Sequence, residues 1–134
     1  MNIDQIGKFP IEGNVARESG ELFKITESTS LKTVFGKQYP VKLDFFVSND
    51  LVHMGMLTMP SGGYGSRMSE VNASNGDTCF YVLNGPITFF LPERKETFNI
   101  RNNETFFIPE NTKYQIINYG DEVIKAIFTV APQL

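Results

Sequence analysis

The sequence predicts an all-β protein built as one domain. Two observations carry this expectation. Short apolar runs rich in Val, Ile, Phe, Tyr and Thr recur about every ten residues, separated by Gly, Pro, Asn and Asp clusters. No eleven-residue window offers a convincing amphipathic helix, so no helical crossovers are expected and the strands should pair antiparallel, as a sandwich or barrel. Length agrees, since 134 residues fall within the usual domain size of about 100–150. A hydrophobic share of 41%, with 12 Phe and 5 Tyr, supplies enough apolar area for a core.

Residues 1–30 stand apart. They are polar, with scattered apolar positions (Ile3, Ile6, Phe9, Ile11, Val15, Leu22, Phe23, Ile25) and no sustained period of 3.6 or 2. This stretch is expected to be a β-rich arm of short strands or turns, packed on the domain or on a partner subunit. The domain proper, 31–134, should contain strands at 31–35, 41–47, 51–59, 78–83, 87–91, 96–100, 105–108, 113–118 and 122–130. Between them lie turn signals such as Gly36 to Pro40, Ser48-Asn49-Asp50, Pro60-Ser61-Gly62-Gly63, Asn84-Gly85-Pro86, Asn102-Asn103 and Gly120-Asp121. No repeat or low-complexity tract interrupts the pattern.

Charge and rare residues narrow the function. Twelve Lys+Arg against 15 Asp+Glu give a net charge of −3, which provides no basic footprint for nucleic acid or an anionic membrane. One Cys cannot close an intrachain disulfide, and one His with one Cys cannot form a thiolate or imidazole zinc cage. No apolar run approaches the ~18 residues of a membrane span, and residues 1–9 are too polar for a signal peptide. A reducing, cytoplasmic setting is expected. The sequons at Asn72 and Asn103 should then be silent, and Cys79, with no basic neighbour in sequence, should not be a reactive thiol.

The second half carries two motifs. In 103–118, Pro109 and Asn118 match a pattern of Gly, five residues, Pro-x-Gly, two residues, His, three residues, Asn. Asn103 and Asn111 replace the glycines, a mild change because Asn tolerates positive φ, and Tyr114 stands at the His. Upstream, the strand Phe80-Tyr81-Val82-Leu83-Asn84-Gly85 keeps a closing glycine, and Met54 to Gly63 reads as a strand running into a Pro-Gly turn. These motifs resemble the two signatures of the cupin superfamily, the RmlC-like jelly rolls, over about residues 52–130. The Tyr-for-His form is similar to the metal-free cupin domain of centromere protein C and its yeast counterpart. The resemblance implies a jelly-roll β-barrel, a homodimer, and no metal cofactor.

Within that frame, the family's metal-binding Glu falls on Thr78. Its His-x-His pair falls on Val71 and Ala73, or on Asn72 and Ser74, and its last His on Tyr114. Imidazoles two apart on a strand grip a metal because alternate residues face one side. None of the replacements is a strong ligand, and a phenol of pKa near 10 is a poor one at neutral pH. A substitute shell would have to come from His53, Glu70, Asp77 or Cys79. Strand alternation turns Thr78, Phe80 and Val82 inward, opposite Cys79, Tyr81 and Leu83; the family frame turns Tyr114, Ile116 and Asn118 inward.

The leading expectation is therefore a metal-independent pocket for a small polar metabolite or sugar, contacted by Arg67, Asn72, Thr78, Phe80, Tyr114 and Asn118, with His53 and Glu70 nearby. Two rivals stand beside it. One is a metal-independent isomerase, cyclase or lyase moving a proton with His53, Glu70 or Tyr114; the other is a dimerisation module with a vestigial pocket. Each candidate also has a bland reading. His53 could be a partly buried histidine bonded to the backbone, Arg67 and Glu70 part of a solvated loop, and Tyr114 a packed ring with a bonded hydroxyl.

Overall fold

Alternating apolar and polar residues draw ten strands among the described residues: β1 (Leu31–Phe35), β2 (Val41–Ser48), β3 (His53–Met59), β4 (Arg67–Met68), β5 (Asp77–Asn84), β6 (Ile87–Leu91), β7 (Glu96–Ile100), β8 (Thr105–Ile108), β9 (Gln115–Asn118) and β10 (Ile124–Ala131). The computed structural model describes residues 13–36, 40–62 and 67–134, with Arg67 described by its backbone. Every ladder is antiparallel. The strands form a six-stranded sheet, β1-β2-β3-β10-β5-β8, and a four-stranded sheet, β4-β9-β6-β7. No helix among the described residues is long and apolar enough to cross a membrane.

The expected β-rich arm is corrected in its described part, 13–30. It holds a helix α1 (Gly13–Ser19) and a single 3-10 turn (Glu27–Thr29), with no strand. Seven residues are too few to show as helical periodicity, and α1 buries none of its side chains. Tertiary contacts hold it instead. Asn14 and the β2–β3 turn exchange hydrogen bonds, Asn14 Nδ2 donating to Asp50 Oδ1 (3.0 Å) and the Asp50 amide to Asn14 Oδ1 (2.9 Å). Residues 1–12 of the arm lie outside the described residues.

The core lies between the sheets and is mainly aliphatic, with a cluster of aromatic rings at its centre. Phe45 and Phe128 meet nearly edge-on at 5.2 Å, and Phe80 contacts Phe89 of the other sheet at 5.1 Å and Tyr114 at 5.8 Å. One row of the six-stranded sheet reads Phe45, Gly55, Phe128, Phe80 across β2, β3, β10 and β5. Gly55 is required there, because a Cβ would strike the Asp44 carbonyl and come within 2.7 Å of the Phe128 ring. Asn103 and Asn111, the two glycine replacements, adopt φ of 66° and 59°, the left-handed conformation that the glycine pattern demands.

Candidate functional site

A cavity of about 230 Å³ opens between the sheets at the end where β5 begins and β10 finishes. Its walls come from five strands of the six-stranded sheet and from β9. β1 and β2 supply Phe35, Val41, Leu43 and Phe45; β3 and β10 supply Leu57, Phe128 and Val130; β5 and β9 supply Phe80 and Ile116. Leu134 packs beside them, its carbonyl accepting a hydrogen bond from Asn75 Nδ2 at 3.2 Å.

Four polar residues also line this cavity: Asn72, Ser74, Thr78 and Tyr114. Three of them are held by a strip of chain sewn along β9. Met68 pairs with Ile117, the Ser69 amide donates to the Ile116 carbonyl (2.8 Å), and Ser69 Oγ accepts from the Ile116 amide (2.9 Å). Asn72 and Tyr114 then exchange both backbone hydrogen bonds, at 2.8 and 2.9 Å. The Asn111 amide closes the strip on the Ser74 carbonyl at 2.8 Å. This doubling fixes Tyr114 under the loop, where both it and Ser74 line the cavity. Burial pushes the Tyr114 phenol up to about 12, against a smaller opposing effect of Ser74. At neutral pH it remains a protonated donor.

These are the positions at which the family resemblance places metal ligands, in the frame that uses Asn72 and Ser74. The frame on Val71 and Ala73 fits less well, since Val71 is exposed and does not line the cavity. The donor set does not suit a divalent metal. It offers one amide, two aliphatic hydroxyls and a phenol whose ionisation is driven further from neutrality. Among the described residues, no three His, Cys, Asp or Glu side chains gather elsewhere to form a substitute shell.

The other candidates are dispersed. His53 is buried on the inward face of β3, its Nδ1 2.7 Å from Ser48 Oγ across the hairpin, and it does not line the cavity. Ser48 Oγ is thus one partner of the ring. Glu70 is exposed and off the cavity wall. Arg67 pairs with Asn118 in the β4–β9 ladder, and its side chain lies outside the described residues. Asn118 is fully buried but turned into loop structure. Its Nδ2 donates to the Pro60 and Glu122 carbonyls (3.1 and 2.8 Å), and its Oδ1 accepts from the Gly120 amide (3.0 Å). Phe80 and Thr78 line the cavity as alternation requires. Sequence reasoning missed Phe35, Val41, Leu43 and Phe45, although the alternation Val41-x-Leu43-x-Phe45 is a signal that one face of this strand is buried.

No family model matches the chain, and no curated protein matches its sequence. Solved structures do match its shape. The polyketide cyclase RemF from Streptomyces resistomycificus superposes with a TM-score of 0.68 at 11% identity, over 83% of this chain and 80% of that one. An RmlC-like cupin from Shewanella frigidimarina gives 0.63 at 15% identity, covering 84% of this chain and 92% of its own. The Streptomyces nucleoside dehydratase Pac13 gives 0.62 at 18% identity, covering 84% and 83%. Variants of Pac13 at two tyrosines and one histidine have been solved with uridine. The chain therefore has the cupin, RmlC-like fold.

Proposed function

We propose that this chain binds a small organic molecule in the cavity between its sheets, without a metal, and that Tyr114 is the main hydrogen-bond donor to it. The observation that carries the reading is the convergence of Asn72, Ser74, Thr78 and Tyr114 on one aromatic-walled cavity. Concave apolar sites with a few convergent polar groups are where small ligands bind. The solved structures of Pac13 with uridine support the use of this fold for an organic ligand. Native mass spectrometry of the purified protein tests the reading. A retained metabolite of small mass, at lower occupancy in Tyr114→Phe protein, is expected; stoichiometric iron, manganese, nickel or zinc would overturn it.

The enzyme reading has one specific support: two structures of like fold are a cyclase and a dehydratase. In this chain the proton-handling role would fall to Tyr114. Its raised pKa makes the phenol a donor to a developing oxyanion and a poor base. His53, engaged with Ser48 and off the cavity wall, is not placed to act on a ligand there. Loss of turnover with binding retained in Tyr114→Phe protein would select the enzyme over the binder.

A homodimer is proposed on a separate surface. The outer face of the six-stranded sheet exposes Met54, Tyr81, Leu83 and Phe107, each between 37% and 54% accessible. One cross-strand row joins Met54, Thr129, Cys79 and Phe107, and the next joins Met56, Ile127 and Tyr81, so the patch is continuous. Exposed apolar patches of this kind mark interaction sites. A second copy suits it because the charges are self-complementary: Lys32 and Lys42 lie at the β1–β2 edge, while Glu104 and Glu110 flank β8 at the opposite edge. A two-fold axis along the strands sets each edge over the other.

A further inference from the structure

We propose that the molecule taken by this cavity is an uncharged ring compound bearing a hydrogen-bond acceptor such as a carbonyl oxygen, held by the four rings Phe35, Phe45, Phe80 and Phe128 and fixed at the Tyr114 end. The proposal rests on the cavity-binding reading above and names its ligand class.

Polarity is the first argument. Among the described residues no charged side chain lines the cavity, and its polar groups are one phenol, two aliphatic hydroxyls and one amide. A carboxylate or phosphate placed there would lose its water without gaining a cation, and uncompensated burial of an ion costs several kcal/mol. The walls are less polar than a sugar would require, since its hydroxyls would face the Phe, Val and Leu side chains. Geometry is the second argument. Phe45 and Phe128 stand nearly perpendicular, at 80° with centroids 5.2 Å apart, and Phe80 meets Tyr114 at 70°. Walls of mixed ring faces and ring edges favour another ring, stacked on one and edge-on to the next. Size is the third. At about 230 Å³ the cavity falls below the ~300–1,000 Å³ of drug-sized sites, which limits the ligand to a single ring system with small substituents.

The chemistry at the Tyr114 end selects the substituent. Tyr114 lines the cavity with a protonated hydroxyl, a group that can donate to a ligand acceptor. A ligand acceptor satisfies it, whereas an ammonium would compete for the same role of donor.

The test is isothermal titration calorimetry on the intact chain at pH 7 with three probes of matched ring size: acetophenone, benzoate and toluene. Acetophenone should bind at least tenfold tighter than benzoate. Tyr114→Phe should weaken acetophenone by about 2- to 12-fold, the range of one net hydrogen bond, and leave toluene unchanged. Benzoate binding as tightly as acetophenone, or tighter, would overturn the ligand class while leaving the cavity as a binding site. Failure of all three probes would overturn the binding reading itself. The acetophenone-to-benzoate ratio is measured on the unaltered protein and does not depend on any variant folding.

Discussion

The two faces of the six-stranded sheet share one backbone and have opposite chemistry. On β5, Thr78, Phe80 and Val82 point inward and are buried, while Tyr81 and Leu83 point outward and stand 40% and 42% exposed. On β2 the same alternation sets Val41 and Phe45 against Lys42 and Asp44, yet Asp44 is buried on the outer face. Its Oδ2 lies 3.5 Å from Lys42 Nζ and 3.9 Å from Lys32 Nζ, and Oδ1 is buried without a hydrogen-bond partner. The outer face is therefore itself divided, into a charged part at β1–β2 and an apolar part from β3 to β8. Alternation decides which way a side chain points; what lies beyond the sheet decides whether that direction is dry.

The difference between the faces is sharpest in a pair of alanine substitutions. Phe45, fully buried between Phe35 and Phe128, should lose about 3–5 kcal/mol of unfolding free energy as Phe45→Ala, through lost burial and an enlarged cavity. Phe107, 54% exposed on the outer face, should change the monomer by less than about 0.5 kcal/mol as Phe107→Ala. Urea denaturation of both variants at low protein concentration, where a dimer does not contribute, measures the contrast. Equal losses would mean that the outer patch is part of a core.

Alkaline pH probes the inner face alone. The Tyr114 phenol is raised from 10.0 to about 12 in the folded chain, so between those values the folded state holds a proton that the unfolded state has released. Unfolding then loses protons, and stability falls as pH rises through this window. It is fully present below pH ~10, and the loss reaches about 2–3 kcal/mol above pH 12. Tyr114→Phe should flatten that part of the stability profile relative to the unaltered chain, a comparison that cancels the lysines titrating nearby. A parallel decline in both proteins would place the phenol in contact with water.

Much of this architecture was legible in local pattern. The strands at 31–35, 87–91, 96–100 and 105–108 coincide with β1, β6, β7 and β8, because turn residues bound them on both sides. β3 starts later than expected: Leu51 and Val52 are tied into a turn by amide hydrogen bonds to Asn49 Oδ1 at 2.8 and 3.0 Å. β4 was invisible, since two residues in a polar segment have no period and their partner is β9, far along the chain. In the site, Thr78, Phe80 and Tyr114 follow from strand alternation and motif spacing. The β1–β2 side of the cavity follows from sheet order, which no local pattern declares. Asn118 illustrates the opposite error. Its inward direction was readable, but its three hydrogen bonds go to the turns at Pro60, Gly120 and Glu122, and no sequence signal separates a ligand contact from a loop clamp.

The smallest expected effect on folding belongs to the outer face, and there the readout is association. Phe107→Ser removes the ring of the Met54–Thr129–Cys79–Phe107 row and places a hydroxyl at its β8 end. A residue at the edge of an interface costs about 1 kcal/mol or less when truncated, so the dimer dissociation constant should rise by up to about 5-fold. Sedimentation velocity over a concentration series reads that shift, with thermal unfolding at low concentration as the control for the fold. The charged edges predict a further, weaker dependence. In the proposed dimer, rim pairs of Lys32 or Lys42 with the partner's Glu104 or the partner's Glu110 would be screened by salt, so raising ionic strength from 0.01 to 1 M should weaken association modestly. Binding of acetophenone in the cavity should survive Phe107→Ser unchanged, because the ring lies on the other side of the sheet from Phe80 and Thr78. Coupled loss of dimer and ligand would show that the two faces act as one unit, and the separation argued from strand alternation would fail.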